Sequence, residues 1–169
     1  MSEKISSPNP CPPESKSILP GGIVGVLGGG QLGRMLAIAA RRMGYRVHAY
    51  EPKPDSPVGQ ICDVEINAPY SSTEELEKFA RGVDVISFEF ENIPVSAIEH
   101  VAALRPVRPR GDVLHICQNR EREKLFLQEN GFPCAQFRVV DSAPSLSAAL
   151  SEIGVPCVLK TADFGYDGK

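Results

Sequence analysis

The stretch GIVGVLGGGQLGRM, residues 22–35, decides the architecture of this chain. Ile23, Val24, Val26 and Leu27 form a short apolar run of the kind a buried strand needs. The run ends in Gly28-Gly29-Gly30, after which Leu32, Met35, Leu36 and Ala39 recur at helical spacing from Gln31 to Met43, and Gly44 supplies a stop. Arg46 to Tyr50 reads as a second strand ending at Glu51-Pro52, so the unit is strand, glycine turn, helix, strand. In Gly28-x-Gly30-x-x-Gly33 the first glycine permits the turn and the second lets a ligand approach the backbone. The helix start offers N–H groups and a positive dipole to a phosphate. With Glu51 placed 18 residues beyond Gly33 this is a dinucleotide signal. Glycine-rich first turns also occur in wound sheets that bind no dinucleotide, so both readings stand at this point.

Outward from this unit, Lys53–Gly59 reads as a Pro-rich loop, Ile61–Ile66 as a strand, Thr73–Gly82 as a capped helix, Val83–Phe88 as a buried strand and Val95–Leu104 as a helix. Strands separated by helices imply a parallel α/β sheet with helices on both faces. Val113–Cys117 and Glu121–Asn130 give two more helices. A second αβ pattern follows: strand Phe137–Val140, helix Ser145–Ile153, strand Cys157–Lys160. The expected division is a disordered Pro-rich tail at 1–20, one domain at 21–108 and the beginning of a second at 109–169, with the boundary in the Pro106–Asp112 region.

Composition narrows the function classes. A chain of 169 residues with 42% hydrophobic and 23% charged residues can bury a core. A formal charge of −3 provides no field for a nucleic-acid backbone or an anionic membrane, so small-molecule partners are expected and neither nucleic acid nor membrane. Arg105, Arg108 and Arg110 are interrupted by Pro106 and Pro109 and read as a solvated linker. No apolar stretch is long enough for a membrane span, and Glu3 and Lys4 stand where an export signal needs apolar residues. The five cysteines are scattered without a CxxC pair and the three histidines lack ligand spacing, which points to reduced thiols in a cytoplasm and no metal site.

Three further groups carry chemistry. Glu89, Glu91 and Asn92 lie just past an apolar strand, where open α/β sheets place ligands, and two carboxylates there suit an amine or a hydroxyl; a solvated turn in which Asn92 caps a helix is the plainer account. Arg120–Lys124 (REREK) is helical and mixed in sign, as surface ion-pair runs are. Lys160 leaves an apolar strand, and Gly165, Tyr166, Asp167, Gly168 and Lys169 follow as a turn whose glycines and cation suit a polyphosphate, although a hairpin turn would explain them alone.

Taken in order, GGGQLGRM, FEFENIP, QNREREK and LKTADFGYDGK resemble the bacterial-type 5-(carboxyamino)imidazole ribonucleotide synthases of purine biosynthesis, a family of ATP-grasp ligases, over Gly22–Lys169. The resemblance implies a Rossmann-like pre-ATP-grasp domain that holds no dinucleotide, followed by the first part of an ATP-grasp domain. It places Gly30, Gln31 and Leu32 beside aminoimidazole ribonucleotide and its phosphate, and Glu89, Glu91 and Asn92 on the opposite wall. It assigns ATP to Arg120, Lys160, Gly165, Tyr166, Asp167, Gly168 and Lys169. The implied reaction joins bicarbonate to the ribonucleotide amine at the cost of ATP, through carboxyphosphate, in a homodimeric enzyme. Magnesium would be held by carboxylates beyond Lys169. On this resemblance the chain is an N-terminal fragment that is inactive alone, with its catalytic residues outside it. An NAD-dependent oxidoreductase, a formate-dependent or glycinamide-type ribonucleotide ligase, and a non-catalytic binding or dimerisation module are the rival readings.

Overall fold

The computed structural model describes residues 17–163. Strands β1 (Ile23–Leu27), β2 (Arg46–Tyr50), β3 (Val64–Ile66) and β4 (Val85–Phe88) form one parallel sheet in the order β3-β2-β1-β4. Helix α1 (Gln31–Arg42) connects β1 to β2, and α2 (Thr73–Arg81) connects β3 to β4. The chain therefore winds outward from β1 through β2 to β3, then returns to place β4 on the other side of β1. Strand order reverses between β1 and β4, and the carboxyl ends of those two strands flank the crevice that such a reversal creates.

The sheet is covered on both faces. One core joins Leu27, Tyr50 and Ile86 to Leu76 and Phe79 of α2, Ile98 and Val101 of α3 (Val95–Ala102) and Leu114 of α4 (Gly111–Cys117). The other joins Val26, Val47 and Ala49 to Ala37 and Ala40 of α1 and to Val58. Gly25 is required by close approach, since a Cβ there would sit 2.8 Å from the Phe79 ring. The segment after α3 also pairs beside β4, with Ile86 donating to the Pro106 carbonyl and Arg108 to the Ile86 carbonyl at 2.9 and 2.8 Å. Arg105 spends its guanidinium on the carbonyls of Val83 and Leu104.

The structure departs from the pattern of the sequence in three places. The face of α1 turned to the sheet is Gly33, Ala37 and Ala40, while Leu32 and Met35 are 61% and 64% exposed. A glycine turn brings the helix so close to the strand that only small residues fit beneath it. The strand expected at Ile61–Ile66 begins only at Val64, because the N–H groups of Ile61 and Cys62 turn back to the Val58 carbonyl at 3.0 Å. Finally, Phe137–Val140 and Cys157–Lys160 are not strands, although the helix between them, α6 (Ala143–Ile153), forms with a Ser142–Ser145 capping box. No partner strand flanks either segment among the described residues, and Val158 and Leu159 are 78% and 67% exposed. β-propensity is realised only against a neighbouring strand.

Asp63 closes the far end of the sheet by accepting from the Val47 N–H and from Arg41, both at 2.8 Å. The Val47 hydrogen bond, seconded by Arg41, holds its carboxyl below the ordinary value of 3.8. A carboxyl depressed in the folded state contributes stability above its unfolded value and loses it as pH falls through the lower folded value. The urea midpoint of the chain should therefore fall on acidification below about pH 3.8, and Asp63→Asn should flatten that fall. Parallel pH profiles of the two proteins would refute the link.

Candidate functional site

The crevice at the reversal point is built from two loops. Gly28 leaves β1 with φ +101°, a left-handed conformation open to glycine, and its N–H bonds the Tyr50 carbonyl at 3.0 Å. α1 then begins at Gln31 with Gly30 as its N-cap and no capping side chain from the preceding residues. The cap comes instead from Glu89, just after β4. One carboxylate oxygen accepts from the Gly30 N–H at 2.5 Å and the other from the Gly33 N–H at 2.6 Å. The glycines are shaped to this carboxylate: a Cβ on Gly30 would lie 2.5 Å from Glu89 Oε1, and one on Gly28 2.9 Å from the Phe90 ring.

This geometry gives the glycine motif an acidic partner within the chain. A helix N-terminus attracts an anion, and here the anion is a side chain of the same chain. The Gly30 and Gly33 N–H groups are bonded to it, and those of Gln31 and Leu32 are not. The Pro-rich loop closes the neighbouring approach, with the Val58 N–H on the Gly29 carbonyl at 3.2 Å and Ser56 packed where a Gly29 Cβ would be. That loop is fixed in turn. Ser56, buried, donates to Glu65 at 2.6 Å and accepts from the Gly59 N–H at 3.0 Å, and Arg34 of α1 donates to Gln60 at 2.7 Å. Glu51 turns to the Lys53 N–H at 3.1 Å.

Glu89 is bonded into the glycine turn, across the crevice between the two loops. Glu91 differs, since its carboxylate has no hydrogen-bond or ion-pair partner among the described residues. Asn92 is exposed and does not cap α3, whose N-cap is Pro94. Gln31 and Leu32 are exposed in the first turn of α1, where N–H groups have no preceding intrahelical acceptor. Gly30, Gln31, Leu32, Glu91 and Asn92 thus all lie at the carboxyl edge of the sheet, on the glycine turn with the start of α1 and on the acidic loop.

Two further residues of this region had no role assigned by the sequence. Tyr70 stacks on Tyr50 with ring centroids 5.6 Å apart, and its buried hydroxyl has no hydrogen-bond partner among the described residues. Burial, with the negative charges of Glu51 and Glu89 adding to it, pushes the phenol above its ordinary value. Gln118 donates from one amide nitrogen to the carbonyls of Glu91 and Ile93, each at 2.7 Å. Nothing in the pattern around Tyr70 marks it out, whereas Gln118 opens the QNREREK motif.

A second cleft lies in the later part of the chain. Asn119 caps α5 (Arg120–Glu129) by accepting from the Arg122 N–H at 3.0 Å. Arg122 donates to the His115 carbonyl at 2.9 Å rather than to a neighbouring carboxylate. A cleft of about 480 Å³ has Arg120 and Lys124 on one side and Phe137, Val139 and Lys160 around it. The structure thus brings Arg120 and Lys160, 40 residues apart in sequence, to one cavity with an apolar lining. Gly165, Tyr166, Asp167, Gly168 and Lys169 lie outside the described residues. Among the described residues no three acidic, His or Cys side chains converge to hold a metal ion, and no helix is long and apolar enough to cross a membrane.

Comparison with known proteins matches residues 22–118 to the ribonucleotide synthetase preATP-grasp domain and residues 125–169 to the ATP-grasp domain. The N5-carboxyaminoimidazole ribonucleotide synthase of Bacillus subtilis is 45% identical over 157 residues, which cover 92% of this chain and 41% of that protein. A solved N5-carboxyaminoimidazole ribonucleotide synthetase bound to ADP superposes with a TM-score of 0.83 at 39% identity, over 90% of this chain and 40% of the other. The Aspergillus clavatus synthase solved with ADP and 5-aminoimidazole ribonucleotide gives a TM-score of 0.68 at 31% identity, covering 80% of this chain and 37% of that one. The chain spans about two fifths of the length of these relatives.

Proposed function

The chain belongs to the ribonucleotide synthetase preATP-grasp family, and from that membership we propose that it forms the substrate-side domain and the first part of the ATP-grasp domain of an N5-carboxyaminoimidazole ribonucleotide synthase. The observation that carries the reading is the 45% identity to such a synthase across 92% of this chain, a span that takes in the glycine turn, the acidic loop and Arg120. The substrates are ATP, bicarbonate and 5-aminoimidazole ribonucleotide, and the setting is a cytoplasmic, homodimeric enzyme.

In this proposal the residues divide by site. The free first-turn N–H groups of Gln31 and Leu32, with the Gln31 side-chain amide and Gly30 beside them, meet the ribonucleotide phosphate at the positive end of α1. Glu91, with Asn92, meets its amine or hydroxyls, while Glu89 keeps the turn in shape. Arg120 and Lys160 bind ATP in the cleft they share, and Gly165 to Lys169 extend that site around the phosphates. A bicarbonate oxygen attacks the γ-phosphorus and displaces ADP; the ribonucleotide amine then attacks the carboxyl carbon and expels phosphate. Bicarbonate is a poor electrophile, so phosphorylation supplies the leaving group, and cationic side chains offset the phosphate charge. Magnesium would accompany the nucleotide phosphates, held by carboxylates of the longer enzyme together with the phosphates themselves.

The test is turnover by the full-length enzyme. ADP should form only when bicarbonate and the ribonucleotide are both present, and ADP release indifferent to the ribonucleotide would overturn the proposal. Gln31→Ala refines it, because alanine keeps the helix and removes only an exposed amide. The variant should raise KM for the ribonucleotide well above any change in KM for ATP, at an unchanged melting temperature. An equal rise in both constants would remove Gln31 from the ribonucleotide site.

A further inference from the structure

Three consecutive residues touch both proposed sites. Gln118 ends α4 and holds the carbonyls of Glu91 and Ile93 with the two hydrogens of one amide. Asn119 begins α5 and donates to Asp163 at 2.9 Å, with which it also forms an antiparallel bridge. The N–H of Arg120 bonds the Ala162 carbonyl at 2.8 Å, and Arg120 and Ala162 both line the cleft of about 480 Å³. Between these contacts lies only the junction of two helices, and helices transmit displacement as rigid bodies. The acidic loop borders this junction. Ile93 is fully buried and anchors it, while Asn92 is exposed beside a cavity of about 270 Å³ shared with Gln118, Arg122 and Asp163.

We infer that Gln118 is a positioning residue that couples occupancy of the wall at Glu91 and Asn92 to the nucleotide cleft at Arg120 and Ala162. The inference rests on the assignment of those two sites above. A ligand drawn to Glu91 shifts the backbone carbonyls that Gln118 holds, Gln118 moves the α4–α5 junction, and Arg120 answers in the cleft. Coupling of this kind is reciprocal, so nucleotide binding tightens the acidic loop to the same extent. Favouring joint occupancy is useful chemically, since phosphorylating bicarbonate without the amine in place would lose the labile product to water.

The experiment measures the dissociation constant of a non-hydrolysable ATP analogue for the full-length enzyme, with and without 5-aminoimidazole ribonucleotide. The wild type should show at least about fivefold tightening by the ribonucleotide, the lower end of ordinary coupling. Gln118→Ala and Gln118→Met, the second keeping side-chain length while lacking both donors, should each reduce that factor to near one while the analogue alone binds as before. A merely structural glutamine would weaken ribonucleotide binding and leave the factor intact. Retained coupling in either folded variant, no coupling in the wild type, or loss of folding in both variants overturns the inference. Failure of the wild type to bind the ribonucleotide at all overturns the functional assignment itself, which separates the two failures.

Discussion

Glu89→Ala should destabilise the chain by about 2–4 kcal/mol, the largest effect expected from any single change at the carboxyl edge. Two backbone N–H groups lose a charged acceptor, each such bond contributing about 1.5–3 kcal/mol, and water reaching the partly buried turn restores some of the loss. For a domain of this size the melting temperature should drop by about 5–15 °C. Glu89→Gln should fall between the two proteins, because an amide oxygen accepts from one N–H while its nitrogen opposes the other. The same substitution has a second, opposite consequence. Removing the carboxylate frees the Gly30 and Gly33 N–H groups at the start of α1, where a dissolved anion can replace it. Sulfate or phosphate should then raise the melting temperature of Glu89→Ala more than that of the wild type. A variant melting within about 1 °C of wild type would show that Glu89 does not hold the turn, since even one such bond should shift the midpoint further.

Lys160→Ala should raise KM for ATP by about 10- to 100-fold in the full-length enzyme, the scale of one lost charge-assisted bond to a phosphate at 1.4 kcal/mol per decade. Lys160 is exposed at the rim of the cleft and holds no partner among the described residues, so the melting temperature should not change. Lys160→Arg should recover part of the affinity, because it restores the charge while changing its geometry. KM for the ribonucleotide, measured at saturating ATP, should stay within about twofold, because Lys160 lines the other cleft and a single exposed charge is screened over a Debye length of about 8–10 Å. Wild-type kinetics for ATP would remove Lys160 from the nucleotide site.

These two residues differ in how far the sequence exposes them. Lys160 follows an apolar run and precedes a glycine-rich stretch, so its chemistry is visible in its neighbours along the chain. The strand, turn and helix of residues 22–43 are equally visible, because periodicity and glycine placement are local properties of one segment. The same holds for the later helices, whose caps and stops lie within a few residues of their ends, and for a parallel sheet inferred from alternating strands and helices.

What the chain could not announce was which groups meet across it. Nothing along the chain announces that Glu89 caps amides some 56–59 positions away; only the reversal of strand order between β1 and β4 brings them together. The apolar stripe of α1 marks a helix without marking its buried face, because the closeness of helix to sheet selects the small residues Gly33, Ala37 and Ala40. Phe137–Val140 and Cys157–Lys160 have the composition of strands and lack the flanking strand that would make them so. Tyr70 and Gln118 carry no local mark of their contacts. Sequence alone determined the elements, the order of motifs and the family they resemble, because backbone propensity and turn chemistry act between neighbours. Tertiary structure decided which amides remain free for a ligand, because a hydrogen-bond donor is spent on whichever acceptor the fold brings within about 3 Å, however distant it is in the chain.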